Sequence, residues 1–425
     1  MLRPARSAAT LLLAAGAASV FAQPATQPAP ASDADARIAF YQARIGGPGT
    51  YPAYARLGAA YLQKARETGR ASYLDQAERY LQRSLDLLRN QEALRWLAAV
   101  QLEQHRFRQA LSHAQEAVAA WPADLEAQGV LFDVHLALGE LDQATAVAER
   151  ILAGAPSFAS LTRKAALQSV RGDPTGAAEA MAQACADAEA RSLPAETRAW
   201  CQVRLGAYQV ASCQGAAAER AYNRAIEVFP GYCQAIEHLA ELRAAQQRTA
   251  EAIALYNQLL SEHPNPGYRL ALAEQLESIE RGGAEAERAL AQALDELRRS
   301  AAQGSLSELR ALALLLLEDD QTVAEGLRWA QTDWDNRGDA LAADTLAWAY
   351  YKSGRLSEAK ALIERAMRAG GTEPLVLLHA AYIHRRLGDF SQARELLERA
   401  LACPLQLSPA ARAAAEALRA ELERP

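Results

Sequence analysis

The sequence lacks an apolar run long enough to cross a membrane. The uncharged stretch from Ala8 to Phe21 is about 14 residues long, and Ala311 to Leu317 is shorter still. A transmembrane helix needs about 20. The alternative that the first stretch is a membrane anchor is therefore disfavoured, and we expect no membrane span after this region is removed.

The N-terminus instead has the layout of a secretory signal. Arg3 and Arg6 precede the uncharged stretch, and the small residues around Ala22 suit signal peptidase. We predict a signal peptide over residues 1–22 and a mature chain that begins at Gln23. Residues 23–50 are predicted to form a Pro/Ala-rich linker and N-terminal lead-in. The predicted location is periplasmic or secreted.

The sequence also lacks an excess of basic residues. It carries 45 Lys and Arg against 51 Asp and Glu, a formal charge of −6, and no basic stripe. Such a chain is a poor electrostatic match for a phosphate backbone. We expect no nucleic acid among its partners.

Motifs that carry catalysis or bind metals are missing as well. There is no glycine-rich phosphate loop, His-Glu-x-x-His, Gly-x-Ser-x-Gly or Cys-x-x-Cys. His379 and His384 are five residues apart, which places them on different helix faces, so we interpret them as surface or groove residues rather than ligands. We predict no catalytic residue, metal site or cofactor, and no enzymatic activity.

The composition favours helices. Glycine and β-branched residues are few, whereas Ala, Leu, Glu, Arg and Gln dominate, and these lose least on entering a helix. The fold class is predicted to be all-α.

A unit of about 34 residues repeats along the chain. Near the C-terminus, Gly354 and Gly388 each mark a turn, and five residues later Ala359 and Ala393 begin an apolar stripe on a second helix. The corresponding second-helix residues upstream are Ala77, Ala110, Ala144, Ala177, Ala218, Ala252, Ala286 and Gly326. Together with Ala359 and Ala393 they form a series in which seven of nine steps are 33 or 34 residues. A series this regular indicates a repeat solenoid.

These residues resemble the tetratricopeptide repeat, in an exported bacterial type of protein. The resemblance implies a right-handed superhelical solenoid of about ten helix-turn-helix repeats, here over residues 51–403, with no catalysis. Longer steps mark insertions near Ser192–Ala195 and Arg299–Ser305, and the first unit has one around Glu67–Tyr73. Residues 404–425 are predicted to form a capping helix that starts with Ser408 as N-cap and Pro409 in the first turn.

Five cysteines stand out: Cys185, Cys201, Cys213, Cys233 and Cys403. They are either small buried hydrophobes or, in an oxidising compartment, partners in disulfides. Cys185 and Cys201 fall at helix ends that meet across one repeat junction, so we predict a disulfide between them. Cys213 occupies a turn-glycine position, about 18 Å from Cys201 along the helix.

First helices of such a solenoid line a concave groove. In the last two units the residues predicted to face it are Asp344, Trp348 and Tyr351, followed one unit later by Leu378, Tyr382 and Arg385. Aromatic residues and Arg dominate binding energy at interfaces, so this strip is our candidate contact for a peptide or a partner helix. The alternative is that the rings pack between units, and for Trp348 both readings stay open.

The pattern predicts an exported scaffold or adaptor that binds a protein or peptide in its groove. A second hypothesis is a periplasmic chaperone-like assembly factor that holds unfolded or maturing clients. A third is an enzyme subunit or inhibitor whose chemistry resides in its partner. The sequence does not identify the partner or the oligomeric state.

Overall fold

The computed structural model describes residues 34–46, 50–369, 371 and 373–423. Over these residues the chain is all-α. Its helices are α1 Ala34–Gln42, α2 Tyr51–Thr68, α3 Ser72–Leu87, α4 Gln91–Glu103, α5 Phe107–Ala120, α6 Leu125–Ala137, α7 Leu141–Leu152, α8 Phe158–Val170, α9 Pro174–Ala190, α10 Ala195–Ala211, α11 Gly215–Val228, α12 Cys233–Ala245, α13 Thr249–Glu262, α14 Pro266–Ile279, α15 Ala284–Ala302, α16 Leu309–Leu316, α17 Val323–Arg337, α18 Ala340–Lys352, α19 Leu356–Arg368, α20 Pro374–Arg386, α21 Phe390–Leu401 and α22 Pro409–Leu422, with a 3-10 turn at Pro404–Gln406.

Helices α2 to α21 form ten antiparallel pairs, each with a first and a second helix, and consecutive pairs stack into a superhelical repeat fold. The second-helix alanines of the repeat, such as Ala110, Ala359 and Ala393, are completely buried. A methyl group at these positions lets the paired helices approach closely, and the larger apolar residues beside them fill the core. The predicted solenoid is confirmed.

The turn within a pair uses a left-handed residue. Gly354 and Gly388 have φ of 77° and 83°, and Cys213 occupies the corresponding position with φ of 58°. Glycine adopts this conformation without steric cost, whereas a side chain there is unfavourable. The predicted turn positions are therefore confirmed, and Cys213 is held in a conformation that suits glycine better.

The insertions lengthen helices more than loops. α9 and α10 have 17 residues each and α15 has 19, and only residues 191–194 separate α9 from α10. In the first pair, α2 runs to Thr68 and α3 begins at Ser72. The insertion around Glu67–Tyr73, expected in the loop between the first two helices, is thus taken up by the helices, because extra helical turns keep their backbone hydrogen bonds whereas an extended loop does not.

The two ends of the stack are covered by single helices. α1 lies within the predicted lead-in and packs on α2. At the other end the Ser408 side chain accepts a hydrogen bond from the Ala411 N–H and starts α22, with Pro409 in its first turn. The predicted cap and its N-terminal signals are confirmed. The predicted signal peptide lies outside the described residues. None of the described helices is long and apolar enough to span a membrane.

Successive turns of the superhelix touch each other. The Asn336 side chain, at the end of α17, donates a 2.6 Å hydrogen bond to the His105 carbonyl in the α4–α5 turn. The Arg337 guanidinium lies 5.8 Å from the centre of the Phe107 ring. These residues are separated by more than 200 positions in sequence, so the solenoid closes on itself rather than forming an open arc.

A second contact of the same kind joins the first pair to the middle of the chain. Gln63 of α2 donates a 3.2 Å hydrogen bond to Glu196 at the start of α10. The Tyr232 hydroxyl donates to the same carboxylate, also at 3.2 Å. Both Glu196 and Tyr232 are buried. The interior of the superhelix is therefore narrow and excludes solvent at these positions.

Candidate binding surface

The first helices carry the polar side chains that the fold buries. Among the described residues, every buried polar or charged side chain belongs to a first helix except Ser84, Asp333 and Arg337. Those on first helices are Gln101, Gln128, Asp133, His135, Ser160, Thr162, Arg163, Glu196, Thr197, Arg243, Gln275, Arg310, Asp344, Thr345, His379 and His384. An ordinary core excludes such groups. Several of them pair between neighbouring first helices, so the axial face of the solenoid is in part a polar interior rather than an open surface.

Ion pairs link neighbouring first helices along this axial face. Arg163 of α8 contacts Asp133 of α6 at 2.7 Å, and both side chains are less than a tenth exposed. Gly129 makes room for this pair, because a Cβ atom there would lie 3.0 Å from the Arg163 guanidinium. Burial raises the pKa of Asp133, and the adjacent Arg163 opposes that rise. A buried charge needs such a partner.

A similar arrangement connects α16, α18 and α20. Asp344 accepts a hydrogen bond from Arg310 at 3.4 Å and contacts His379 Nδ1 at 2.8 Å. Asp344 is completely buried and His379 is 6% exposed. The interpretation of His379 and His384 as surface or groove residues is therefore wrong: both are buried, and each makes a carboxylate contact, His384 with Asp389.

The two predicted rows of the aromatic strip do run side by side, but half of their residues are internal. Asp344, Trp348 and Leu378 are buried, with Trp348 only 6% exposed. The Trp348 ring stacks on His379 at a centroid distance of 4.2 Å and on Tyr351 at 4.8 Å. The expectation that these three residues face an open groove is wrong, because the rings of adjacent first helices pack on each other.

The other three strip residues keep part of their surface. Tyr351, Tyr382 and Arg385 are half-buried, and two of them contact the capping helix α22. The Tyr382 hydroxyl donates a 3.1 Å hydrogen bond to the Ala414 carbonyl, and Arg385 pairs with Glu421. Burial raises the pKa of Tyr382 to about 12. A partner could reach only the outer edge of this strip.

A cavity of about 370 Å³ lies where the turns of the superhelix meet. One wall comes from the ends of α4, α6 and α8 and from α10; the opposite wall comes from residues 337–341 and from Gln406. Pockets that hold small ligands or side chains begin at about 300 Å³. The cavity is thus large enough for an inserted side chain, and sequence reasoning missed it because its walls are far apart in the chain.

The cavity walls are mainly apolar, and part of their charge is paired. Leu136, Val170 and Leu341 line it beside small residues such as Ala166. The Arg337 guanidinium bonds to Asp339 at 2.6 Å. Burial, with Arg337 nearby, lowers the pKa of the lining residue His105 to about 3, so its ring is neutral. This chemistry suits an apolar group with a few hydrogen bonds at its edge.

The cysteines are arranged differently from the prediction. Cys213 and Cys403 form a disulfide, with Cα atoms 5.6 Å apart. The sulfurs of Cys185 and Cys201 lie 2.7 Å apart without a bond, and both residues are buried. The predicted Cys185–Cys201 bond therefore stays a prediction supported by proximity. The turn-glycine position of Cys213 was visible in the sequence but did not indicate its partner, since His105 and Gln247 occupy left-handed turn positions as well.

Sequence profiles of the tetratricopeptide repeat match residues 101–165, 203–267 and 345–411. These segments cover pairs from both halves of the helical stack. The chain is a tetratricopeptide-repeat protein. Repeats of this family are typically non-catalytic scaffolds for protein–protein interaction. In this chain the axial face of the first helices is largely buried rather than an open groove.

The chain is also similar to three solved structures. The type IV pilus biogenesis factor PilW is 18% identical, covers 48% of this chain and 91% of its own, and has a TM-score of 0.41. Yeast Tom70 is 13% identical over 86% of this chain and 96% of its own, with a TM-score of 0.32. A tetratricopeptide repeat protein from Parabacteroides merdae is 17% identical over 63% and 99%, with a TM-score of 0.36. No curated protein matches the chain.

Proposed function

We propose that this tetratricopeptide-repeat protein is an exported scaffold that binds a segment of a partner protein through the cavity between the turns of its superhelix. The observation that carries the proposal is the apolar cavity of about 370 Å³ at the axial ends of successive repeats. Binding energy at protein interfaces concentrates in a few side chains inserted into desolvated pockets. An apolar or aromatic anchor of the partner fits that description here.

The proposal is tested by filling the cavity without disturbing the repeats. Ala166 lines the cavity on α8 and is half-buried, so Ala166→Phe places a ring inside it. Lys164→Phe is the matched control, because Lys164 lies on the same helix and is exposed. Tagged protein from the exported fraction is cross-linked, and its partners are quantified by mass spectrometry.

We expect wild type and Lys164→Phe to retain one stoichiometric partner, and Ala166→Phe to lose it by at least tenfold. Equal retention by all three proteins would contradict the cavity as the binding site. Many clients at low stoichiometry would instead support the alternative of a chaperone-like assembly factor. The test separates these outcomes because the three proteins share the same repeats and differ only in whether the cavity is filled.

Export is a separate part of the proposal. It rests on Arg3, Arg6 and the uncharged stretch that follows them, and an oxidising compartment is compatible with the Cys213–Cys403 disulfide. We expect N-terminal sequencing of the mature protein to start at Gln23. An intact Met1 in the cytosolic fraction would contradict export and leave the binding test unaffected.

A further inference from the structure

The segment after the last repeat folds back onto the middle of the solenoid. Cys403 is joined to Cys213, 190 residues earlier. Leu405 packs against Gly215, where a Cβ atom would lie 2.9 Å from the leucine Cδ1. Gln406, next along the chain, is part of the cavity wall. The disulfide therefore sits beside a docked segment, which we take as residues 402–412.

Two side chains of this docked segment bind the C-terminal ends of first helices. Gln406 donates a 3.3 Å hydrogen bond to the carbonyl of Ala211, the last residue of α10. Arg412 donates at 2.9 Å to the carbonyl of Ala245, the last residue of α12. Carbonyls at helix C-termini lack partners within the helix, and a cation there also complements the helix dipole. These two contacts attach the docked segment to the ends of α10 and α12.

The two cysteines differ in exposure. Cys213 is exposed, whereas Cys403 is 6% exposed. Thiol–disulfide exchange requires a thiolate to reach one sulfur. Cys213 is therefore the cysteine that a reductant meets first, while the noncovalent contacts of the docked segment are still in place.

We propose that the Cys213–Cys403 disulfide is a redox latch that keeps the docked segment on α10 and α12, and that reduction by a dithiol releases this segment and opens one wall of the cavity. The thiolate of the dithiol attacks the Cys213 sulfur, and Cys403 leaves as a thiolate and takes up a proton. The second thiolate of the dithiol then displaces Cys213, which is also protonated. The dithiol is oxidised to its disulfide by two electrons as the protein disulfide is reduced.

This inference does not depend on a partner, so its test uses the isolated mature protein. Hydrogen–deuterium exchange and small-angle X-ray scattering are measured before and after treatment with dithiothreitol. We expect amides of residues 402–412 to exchange at least tenfold faster after reduction and the radius of gyration to increase. Exchange in the α2–α3 pair should not change, because the latch does not touch it.

Two variants separate this latch from other effects. Cys213→Gly removes the bond and restores glycine at a left-handed turn, so the local pair should fold at least as well; we expect it to show fast exchange at 402–412 without reductant. A Cys185→Ser, Cys201→Ser double variant should still respond to dithiothreitol like wild type. Unchanged protection of 402–412 on reduction, or free Cys213 and Cys403 thiols in the exported protein, would overturn the proposal.

Discussion

The axial faces of α6–α10 and α16–α20 carry the same kind of ion pair but differ in how the space beside it is filled. Each has a buried ion pair between neighbouring first helices, Arg163–Asp133 in one and Arg310–Asp344 in the other. In the second region the buried Trp348 ring fills the space between α18 and α20. In the first region, small residues such as Ala166 leave a cavity of about 370 Å³, whose opposite wall is residues 337–341. The size of the axial side chains decides whether the superhelix is filled or hollow.

The largest expected loss of stability comes from truncating the buried Trp348 ring in the second region. Trp348→Ala removes a buried ring that stacks on His379 and Tyr351, and such truncations lower the free energy of unfolding by about 3–5 kcal/mol. Chemical denaturation measures the loss. Trp121→Ala is the control, because Trp121 is half-buried and outside the stack. Equal small losses in both variants would mean that the Trp348 ring is not part of the core.

The next prediction concerns the buried ion pair that both regions contain. Asp133→Ala leaves Arg163 buried without its carboxylate, and breaking a buried pair in this way costs about 3 kcal/mol. Asp344→Ala should cost at least as much, because Asp344 contacts both Arg310 and His379. Urea titrations of both variants provide the measurement.

Replacing both members of a pair is the control for this prediction. The double variant Arg163→Met, Asp133→Leu removes the charges together, so it should recover most of the stability lost in Asp133→Ala. A double variant as unstable as the single one would show that packing, and not an unpaired charge, explains the loss.

The repeat fold was predictable because its signals are local. Ala359 and Ala393 at a constant step, Gly354 in the turn, and Ser408 before Pro409 each determine a helix, a turn or a cap within a few residues. The sequence contained no comparable signal for contacts such as Asn336 with His105, whose partners are over 200 residues apart.

The site was harder to predict for the same reason. The position of Trp348 on its helix was correctly derived, but burial depends on how tightly the superhelix closes. That closure is the sum of many small repeat-to-repeat rotations. The Cys213–Cys403 bond likewise joins two residues that become neighbours only after closure. A search by helix periodicity can find a face of a helix but not what covers it.

A smaller effect is expected at Gly206 on α10, where the first region is tightly packed. Gly206 of α10 lies against the Tyr222 ring, and a Cβ atom there would clash with it. Gly206→Ala should lower the free energy of unfolding by about 1–3 kcal/mol through overpacking. Gly154→Ala is the matched control, because its Cβ would meet nothing closer than 3.8 Å. Thermal melts that rank the two variants equally would contradict this close contact.

The smallest effect concerns Glu274 of α14, where α22 covers the axial face. Burial raises the pKa of this carboxyl to about 7, against the opposing effect of Ser408 and the Ala410 N–H at the start of α22. In the unfolded chain the pKa returns to its ordinary value near 4.5. The folded state therefore binds a proton more tightly, and its stability rises as the pH falls from about 7 towards 4.5.

We expect Glu274→Gln to remove part of this pH dependence and to stabilise the protein at pH 8 by on the order of 1–2 kcal/mol, since relaxation around the charge reduces the full cost of its burial. The measurement is denaturation at pH 8 and at pH 5. Glu416→Gln is the control, because Glu416 is exposed on α22, and it should behave like wild type. Glu237 and Glu126, whose pKa values burial also raises to about 7, keep some slope in every variant. If Glu274→Gln is less stable than wild type at pH 8, the ionised carboxylate holds α22 in place rather than opposing its docking.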